Sequence, residues 1–382
     1  MTGFSPLAIA AAATVSLVAA GAVTPAAGTD ARGWARARTA HFDLLSDGGP
    51  AAAQPAAAAL ARFRRVLQQL LPAARPEAEG PLVVLAFTDE DAFRACVPRR
   101  GYEPRAVDGF FQGGTARRFI AVNLRAERTD PYDALYHEYA HLALNRSLPA
   151  QPAWVAEGLA ELYSAWAPAG ADARVGLARP EHIALLRRRG LLPIADILRA
   201  DYTSDFYMRE ERSELFYAQS WLLAHYLVVS RPSGREQLRD YLAAITQGAE
   251  TIPAFREAFG DDPGSLIAHL RWYVESPELP VARVPLPPAE APDAREGAPA
   301  AASPSPGEVD YLIADLLLHQ DRPRSSVGRV IGQGLPGAEE VAKRAAQAAR
   351  WLIECRLDPL ERGLRAVKLF GGRQLSPVLG IQ

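Results

Sequence analysis

Apolar and polar positions change their period along this chain, and the first third of it has the patterns of strands. Partial alternation over residues 39–45 predicts a first strand within residues 34–46. Short, almost wholly apolar runs predict two further strands, at residues 81–87 and 118–124. These strands would form the sheet of a small N-terminal lobe.

Between these strands the pattern predicts two helices and a loop. Apolar side chains recur at helical spacing over residues 51–71, and Pro72 would end that helix. Residues 89–96 suit a short helix, whereas the glycines and prolines of residues 98–114 indicate a loop. The N-terminal lobe is therefore predicted to be a mixed α/β layer.

From Asp130 onward the pattern is helical. Asp130 suits an N-cap and Pro131 suits the first helical position. Helices are predicted at residues 130–145, 153–165, 180–189, 213–230, 234–247, 251–259 and 263–275. The predicted fold class is α+β, with a mixed N-terminal lobe and a mainly helical C-terminal lobe that together span residues 31–275.

The N-terminal segment has the character of an export signal. No charged side chain precedes Asp30, residues 4–22 are apolar, and residues 20–22 read Ala-Gly-Ala, a small-residue cleavage pattern. Residues 1–28 are therefore predicted to be a signal peptide, which places the protein in the periplasm or outside the cell. An uncleaved membrane anchor is the alternative, because the apolar run is long enough to span a bilayer.

The C-terminal third begins with a change in composition. Nine prolines occur in residues 276–307, which indicates a semi-extended linker. Beyond it, residues 308–382 contain helical patterns at 309–319 and 338–355. These two helices could form a pair that resembles part of a tetratricopeptide-like repeat and binds a protein partner, or they could be a small helical cap or a poorly ordered tail.

Charge and cysteine content narrow the possible functions. A net charge of −2 over 382 residues argues against a nucleic-acid surface and against a polybasic membrane segment. The two cysteines, Cys96 and Cys355, could pair in an oxidising compartment, although two separate buried thiols are the simpler interpretation. Contact with a membrane is expected only through the N-terminal segment.

The candidate chemistry lies at the start of the helical part, where residues 137–141 read His-Glu-Tyr-Ala-His. Four helical steps bring His137 and His141 to within about 40° of each other and about 6 Å apart along the axis, so both imidazoles can reach one metal ion. Glu138 beside them could accept a proton from water at the metal. The spacing predicts a metal site with Glu138 as the general base.

A second candidate segment, residues 152–161, follows the histidines closely in the sequence and contains Glu157 and Glu161. A helix that folds back after Pro149 and Pro152 would bring Glu157 to the histidines as a third ligand. Gly158 would allow two helices to approach closely. Glu161 lies one turn beyond Glu157, where it could accept the N–H of a ligand histidine or simply be a solvated helix acid.

These two segments resemble the gluzincin metallopeptidases, in particular the bacterial peptidase MA-like families, in which an H-E-x-x-H helix precedes a W-x-x-E-G-x-A-E segment. The resemblance covers residues 34–275 and extends to His41-Phe42 and to residues 217–221. It implies a zincin-like fold, zinc as the metal and Glu157 as the third ligand. It also implies that the strand at 118–124 lies at a sheet edge and could bind an extended peptide, although an ordinary core strand fits the pattern too.

Other polar aromatic side chains carry weaker signals. Tyr217 is the candidate donor to a developing oxyanion, with a core aromatic as the alternative. His225, in the same predicted helix, is interpreted as structural. No ligand partner at suitable spacing exists for four further histidines, which are assigned no role: His41, His182, His269 and His319.

The predicted function is an exported zinc metallopeptidase that hydrolyses peptide bonds with a zinc-activated water and Glu138 as general base. Its partner would be a peptide or protein substrate of unspecified sequence. The same residues are compatible with two alternatives: a non-catalytic exported binding module on the same scaffold, and a zinc hydrolase of a non-peptide amide in the cell envelope. The intact Glu138 counts against the binding module, because a scaffold has no need of a base.

Overall fold

The structure is a computed structural model that describes residues 33–72, 74, 81–100, 103–104, 107–113, 117–125, 130–148, 151–204, 210–286, 303–318 and 320. Several predicted features lie outside these residues: the export segment at 1–28, the second C-terminal helix at 338–355, His319 and Cys355. Every helix among the described residues is too short or too polar to cross a bilayer.

A five-stranded sheet forms the N-terminal lobe, with the spatial order β1-β2-β3-β7-β6. The central pairs β2–β3 and β3–β7 are parallel, and the outer pairs β1–β2 and β7–β6 are antiparallel. Two further short strands, β4 and β5, pair only with each other. The seven strands are β1 (Ala35–Arg38), β2 (Asp43–Ser46), β3 (Leu82–Phe87), β4 (Arg99–Arg100), β5 (Glu103–Pro104), β6 (Gly109–Gln112) and β7 (Arg118–Asn123).

Three predictions for this lobe need correction. The single strand predicted within residues 34–46 is two antiparallel strands, β1 and β2, which residues 39–42 connect. The segment 98–114 is not a loop throughout, because it contains β4, β5 and β6. The strand predicted at 118–124 is not at the edge of the sheet, since β7 lies between β3 and β6. The edge strand β6 escaped the sequence pattern because it is only four residues long and lies among glycines and prolines.

Both faces of this sheet are buried, which explains why its central strands are apolar at almost every position. Leu44, Val84 and Ile120 lie side by side in register and face the main core, against α1 (Pro50–Leu70). The alternate residues face a second, smaller core that α2 (Glu90–Cys96) covers. Cys96 is buried in this second core.

The helical lobe contains a helix at each predicted position and one short helix, at Ile194–Arg199, that the pattern did not predict. Its helices are α3 (Asp133–Ser147), α4 (Ala153–Ser164), α5 (Pro180–Arg189), α6 (Ile194–Arg199), α7 (Glu210–His225), α8 (Gly234–Thr246), α9 (Thr251–Phe259) and α10 (Pro263–Val274). A π-helix at Tyr226–Ser230 continues α7. Asp130 is not the N-cap of α3, because Tyr132 holds that position and the Asp130 carboxylate accepts from the Tyr132 amide at 2.8 Å. The observed combination of a mixed sheet with a helical lobe is compatible with the predicted α+β class.

The region predicted to be a linker is partly structured. Residues Ala282–Pro285 form β10, which pairs with β9 (Asp172–Val175), and β9 pairs with β8 (Trp166–Ala169). Helix α11 (Pro306–Leu318) then packs against the second core of the five-stranded sheet. Its Glu308 is paired with Arg36 of β1 at 2.6 Å. The first C-terminal helix is thus part of the sheet lobe rather than a separate unit.

Candidate metal centre

Two helices bring three potential metal ligands together. His137 and His141 lie on successive turns of α3, and Glu157 lies on α4, which packs against α3. The closest ligand atoms are Nε2 of His137, Nε2 of His141 and Oε2 of Glu157, and they are separated by 3.0, 3.1 and 3.5 Å. We call these residues the metal-facing group. The structure therefore joins the three residues that sequence spacing predicted as ligands.

The metal-facing group has the dimensions of a tetrahedral zinc site. Zinc–nitrogen and zinc–oxygen bonds of about 2.0–2.1 Å place neighbouring ligand atoms about 3.3 Å apart. The three measured separations, 3.0, 3.1 and 3.5 Å, lie on both sides of that value. Two imidazoles and one carboxylate also form a donor set that suits zinc. The group could hold a metal ion through three protein ligands.

Electrostatics within the metal-facing group favour a charged carboxylate and a charged imidazole. Burial raises the pKa of Glu157, but the neighbouring His141 and His137 outweigh it and lower the pKa to about 2. Burial lowers the pKa of His137, but Glu161, Glu157 and Glu138 outweigh it and raise the pKa to about 9. A concentration of negative charge thus faces the two imidazoles, as a site for a cation requires.

Glu138 lies between this group and the edge of the sheet. Burial raises the pKa of its carboxyl group, with His137, His141 and a hydrogen bond from the backbone N–H of Phe111 acting in the opposite direction. A Cβ atom at Gly109 would lie 3.1 Å from Cγ of Glu138, so β6 passes directly over this side chain. A carboxylate with a raised pKa is a better proton acceptor than an ordinary one.

The strand beside the site is therefore β6, not the predicted strand at 118–124. Among the described residues β6 pairs only with β7, so its other side is an open edge. Phe111 directs its amide toward Glu138 on that side. These four residues, and not the longer strand, form the edge of the sheet beside Glu138.

Gly158 does permit a close helix approach, but its partner differs from the one expected. A Cβ atom there would lie 2.4 Å from the backbone oxygen of Ser220 in α7 and 3.0 Å from Cβ of Ala224. The glycine therefore fits α4 closely against α7. Helix α7 in turn carries Tyr217, whose ring centroid lies 6.4 Å from that of His137.

Glu161 is buried, and it is not a solvated helix acid. Its Oε1 lies 3.4 Å from Nδ1 of His137, and its Oε2 lies 2.9 Å from Nε of Arg179. Arg179 also donates to both carboxylate oxygens of Asp133, at 2.8 and 3.1 Å. We call Asp133, Glu161 and Arg179 the buried charge network. Arg179 holds the pKa of Glu161 well below its usual range, against the effect of burial.

Sequence reasoning missed Asp133, Arg179 and His182. His182, which was assigned no role, lies with Nε2 3.2 Å from Oε2 of Glu161. Asp133 could have been suspected, because it precedes His137 by one helical turn and so shares its face. Arg179 and His182 are at no diagnostic spacing from the ligands, and only the return of the chain through β8 and β9 brings them there.

His225 has the structural surroundings expected of it. It is fully buried, with Nδ1 2.8 Å from the Tyr273 hydroxyl and Nε2 2.9 Å from the carbonyl oxygen of Gly176. Burial lowers its pKa. The ring therefore remains neutral, donates from Nε2 to the carbonyl and accepts from the tyrosine hydroxyl.

Comparison with known proteins finds no family model that matches this chain and no curated protein with significant similarity to it.

Proposed function

We propose that this protein is an exported zinc metallopeptidase of the gluzincin type, with a zincin-like fold. The observation that carries the proposal is the convergence of His137, His141 and Glu157 with atoms 3.0–3.5 Å apart, beside a glutamate with a raised pKa. The resemblance of residues 137–141 and 152–161 to the gluzincins supports zinc as the metal. Export rests on the apolar segment at residues 4–22.

The metal-facing group would hold the ion, and zinc at such a site lowers the pKa of water and polarises a carbonyl group. Glu138 would accept a proton from the attacking water and deliver it to the leaving amine. Its raised pKa makes it a better proton acceptor than an ordinary carboxylate, as the first of these transfers requires. Tyr217, close to His137, would donate a hydrogen bond to the developing oxyanion.

The open edge of β6 favours a peptide over a small amide as substrate. An extended chain could pair with this edge through main-chain hydrogen bonds, independently of its side chains. Such pairing would place a scissile peptide bond near Glu138, since Gly109 and Phe111 of β6 already contact that residue. Recognition through the backbone would also make cleavage tolerant of sequence.

The proposed function is tested by replacing the base and leaving the ligands in place. In Glu138→Gln, zinc content should stay at about one per chain, and kcat/KM on a fluorogenic peptide library should fall by about 10²–10⁴-fold. Zinc is measured by elemental analysis of protein purified without chelator. A matched control is Glu236→Gln, which changes an exposed glutamate of α8 and should keep full activity.

Two results would contradict the proposal. Full peptidase activity in Glu138→Gln would remove that residue from the mechanism. A parent protein that neither contains zinc nor takes it up on titration would remove the enzyme as a whole, and would favour a binding module on the same scaffold.

A further inference from the structure

Arg179 connects the two helices that supply the metal ligands. Its side chain is buried, with 5% of its surface exposed, between the first turn of α3 and the last turn of α4. Nη1 and Nη2 donate to the two oxygens of Asp133, and Nη2 also lies 2.7 Å from Oγ of Ser164. Nε lies 3.1 Å from the backbone oxygen of Glu161 and 2.9 Å from its carboxylate. One guanidinium thus fixes how α3 and α4 are placed relative to each other.

The position of Asp133 and Glu161 along their helices makes this connection relevant to the ligands. Asp133 precedes His137 by four residues, and Glu161 follows Glu157 by four residues, so each lies one turn from a ligand and on the same face. Arg179 binds both carboxylates. A shift of α3 against α4 would therefore break these contacts at the same time as it separated His137 from Glu157.

The two oxygens of the Glu161 carboxylate have different neighbours. Oε2 lies 2.9 Å from Nε of Arg179, with which it forms an ion pair, and 3.2 Å from Nε2 of His182, which can donate to it. Oε1 faces Nδ1 of His137 at 3.4 Å. Because Oε2 is held from two directions, rotation of the carboxylate is restricted and Oε1 stays directed at the imidazole. A proton on Nδ1 then leaves Nε2 of His137 available as a ligand.

The charges of the buried charge network do not cancel. Asp133 and Glu161 carry two negative charges, and Arg179 carries one positive charge. Glu161 is the carboxylate of this network that faces His137, and its charge would increase the basicity of that imidazole. Arg179 makes the arrangement possible, since two buried carboxylates without a cation would be strongly destabilising.

We infer that Arg179 is a positioning residue of the metal site, which holds Glu161 against Nδ1 of His137 and thereby sets the affinity for zinc. The inference rests on the proposed metal site and deepens it. Arg179 touches neither the metal-facing group nor the position of a substrate in any contact that the structure describes. Its effect is therefore expected in metal affinity, through Glu161.

The test measures zinc affinity by competition with a chromophoric chelator in Arg179→Lys. Lysine keeps the charge but cannot bind Asp133 and Glu161 together, because its ammonium lacks the planar fork. We expect zinc affinity to fall by about 10–100-fold, the range found for outer partners of ligand histidines. Arg187→Lys is the matched control, since Arg187 also binds a backbone carbonyl, that of Val274, but lies away from the site. The zinc affinity of Arg187→Lys should equal that of the parent.

A double-mutant cycle separates positioning from a general loss of stability. If Arg179 acts through Glu161, Arg179→Lys should weaken zinc binding by less than about twofold in a Glu161→Gln background. Thermal unfolding of the metal-free variants, and the visible spectrum after loading with Co²⁺, show whether the fold and the ligand set persist. Additive effects in the cycle would overturn the inference, as would an unchanged affinity in Arg179→Lys.

If Arg179→Lys does not fold, Asp133→Asn provides the second variant, because it loosens Arg179 and leaves Glu161 unaltered. Its zinc affinity should also fall, and an unchanged affinity would overturn the inference. If the parent binds zinc and these variants bind it with the same affinity, the role of Arg179 is refuted but the proposed metal site is not. A parent that binds no zinc would refute the proposed function together with the inference.

Discussion

Glu157 and Glu161 lie one turn apart on the same helix, and both are buried, yet they belong to different electrostatic surroundings. Glu161 is paired with a guanidinium, that of Arg179, at 2.9 Å. The contacts described for Glu157 join it to two imidazoles, His137 and His141, at 3.5 and 3.1 Å. One carboxylate has a permanent cation supplied by the chain, and the other has only bases that can either take up protons or bind a metal.

This difference separates a structural role from a binding role. A buried carboxylate requires compensation of its charge, and the cation of the buried charge network is present at every pH at which the protein folds. In the metal-facing group, compensation comes from a proton on His137, whose pKa is raised to about 9, or from a bound metal ion. Substitutions on the two sides should therefore differ in kind as well as in size.

The largest effect is expected from replacing the carboxylate that has no permanent cation. Glu157→Gln should weaken zinc binding by at least about 1,000-fold, beyond the 10–100-fold expected for Glu161→Gln as an outer partner. The reason is that a neutral amide is a poor zinc ligand, whereas the loss at Glu161 acts only through His137. Chelator competition measures both affinities. Equal losses in the two variants would break the distinction between them.

The next largest effect is expected from Tyr217, which lies near the metal-facing group but does not belong to it. Tyr217→Phe should lower kcat by about 10²–10³-fold with little change in zinc affinity, because it removes one donor to the oxyanion. Steady-state kinetics on a cleaved peptide measure this effect. Tyr202→Phe changes an exposed tyrosine and serves as control. A variant with the kcat of the parent would assign Tyr217 to the core instead.

A smaller effect should follow from the residue between the two glutamates. Gly158→Ala should lower the free energy of unfolding by about 1–3 kcal/mol, because its Cβ would lie 2.4 Å from the backbone of Ser220. Denaturant unfolding of the metal-free protein measures the change. Gly307→Ala is the control, since a Cβ there meets nothing within 4 Å. Unaltered stability in Gly158→Ala would mean that α4 and α7 can separate without cost.

The smallest effect is expected at His225, a buried histidine outside the metal-facing group. His225 has no carboxylate partner in its described contacts, and burial lowers its pKa. The unfolded chain takes up a proton below about pH 6.5 while the folded chain resists it, so stability should fall as the pH drops below that value. Each pKa unit between the folded and the unfolded chain corresponds to about 1.4 kcal/mol of unfolding free energy.

The pH dependence is measured as the difference in unfolding free energy between the parent and His225→Gln from pH 8 to pH 5. The advantage of the parent should decrease toward acid, because glutamine does not titrate. A difference that stays constant with pH would show that the folded protein accepts the proton at His225 without penalty.

Local spacing in the sequence was sufficient for the ligand set and for most helices. His137 and His141 must share a face because α3 is a helix, and Pro152 is the N-cap of the next helix, which carries Glu157. Long apolar periods likewise predicted α1 and the helices of the C-terminal lobe other than the six-residue α6. Such features depend on neighbours within a few residues, which is the range over which a single sequence carries a clear signal.

Contacts between distant segments could not be read in the same way. Three features depend on contact partners that are distant in the sequence: the edge strand β6, the packing of α11 on the sheet and the position of Arg179. A four-residue strand acquires its identity from pairing with β7, and a buried arginine is stable only where folding supplies its carboxylates. The candidate ligands could therefore be predicted from their spacing, whereas the residues that contact them from elsewhere in the chain depend on the packing of the whole fold.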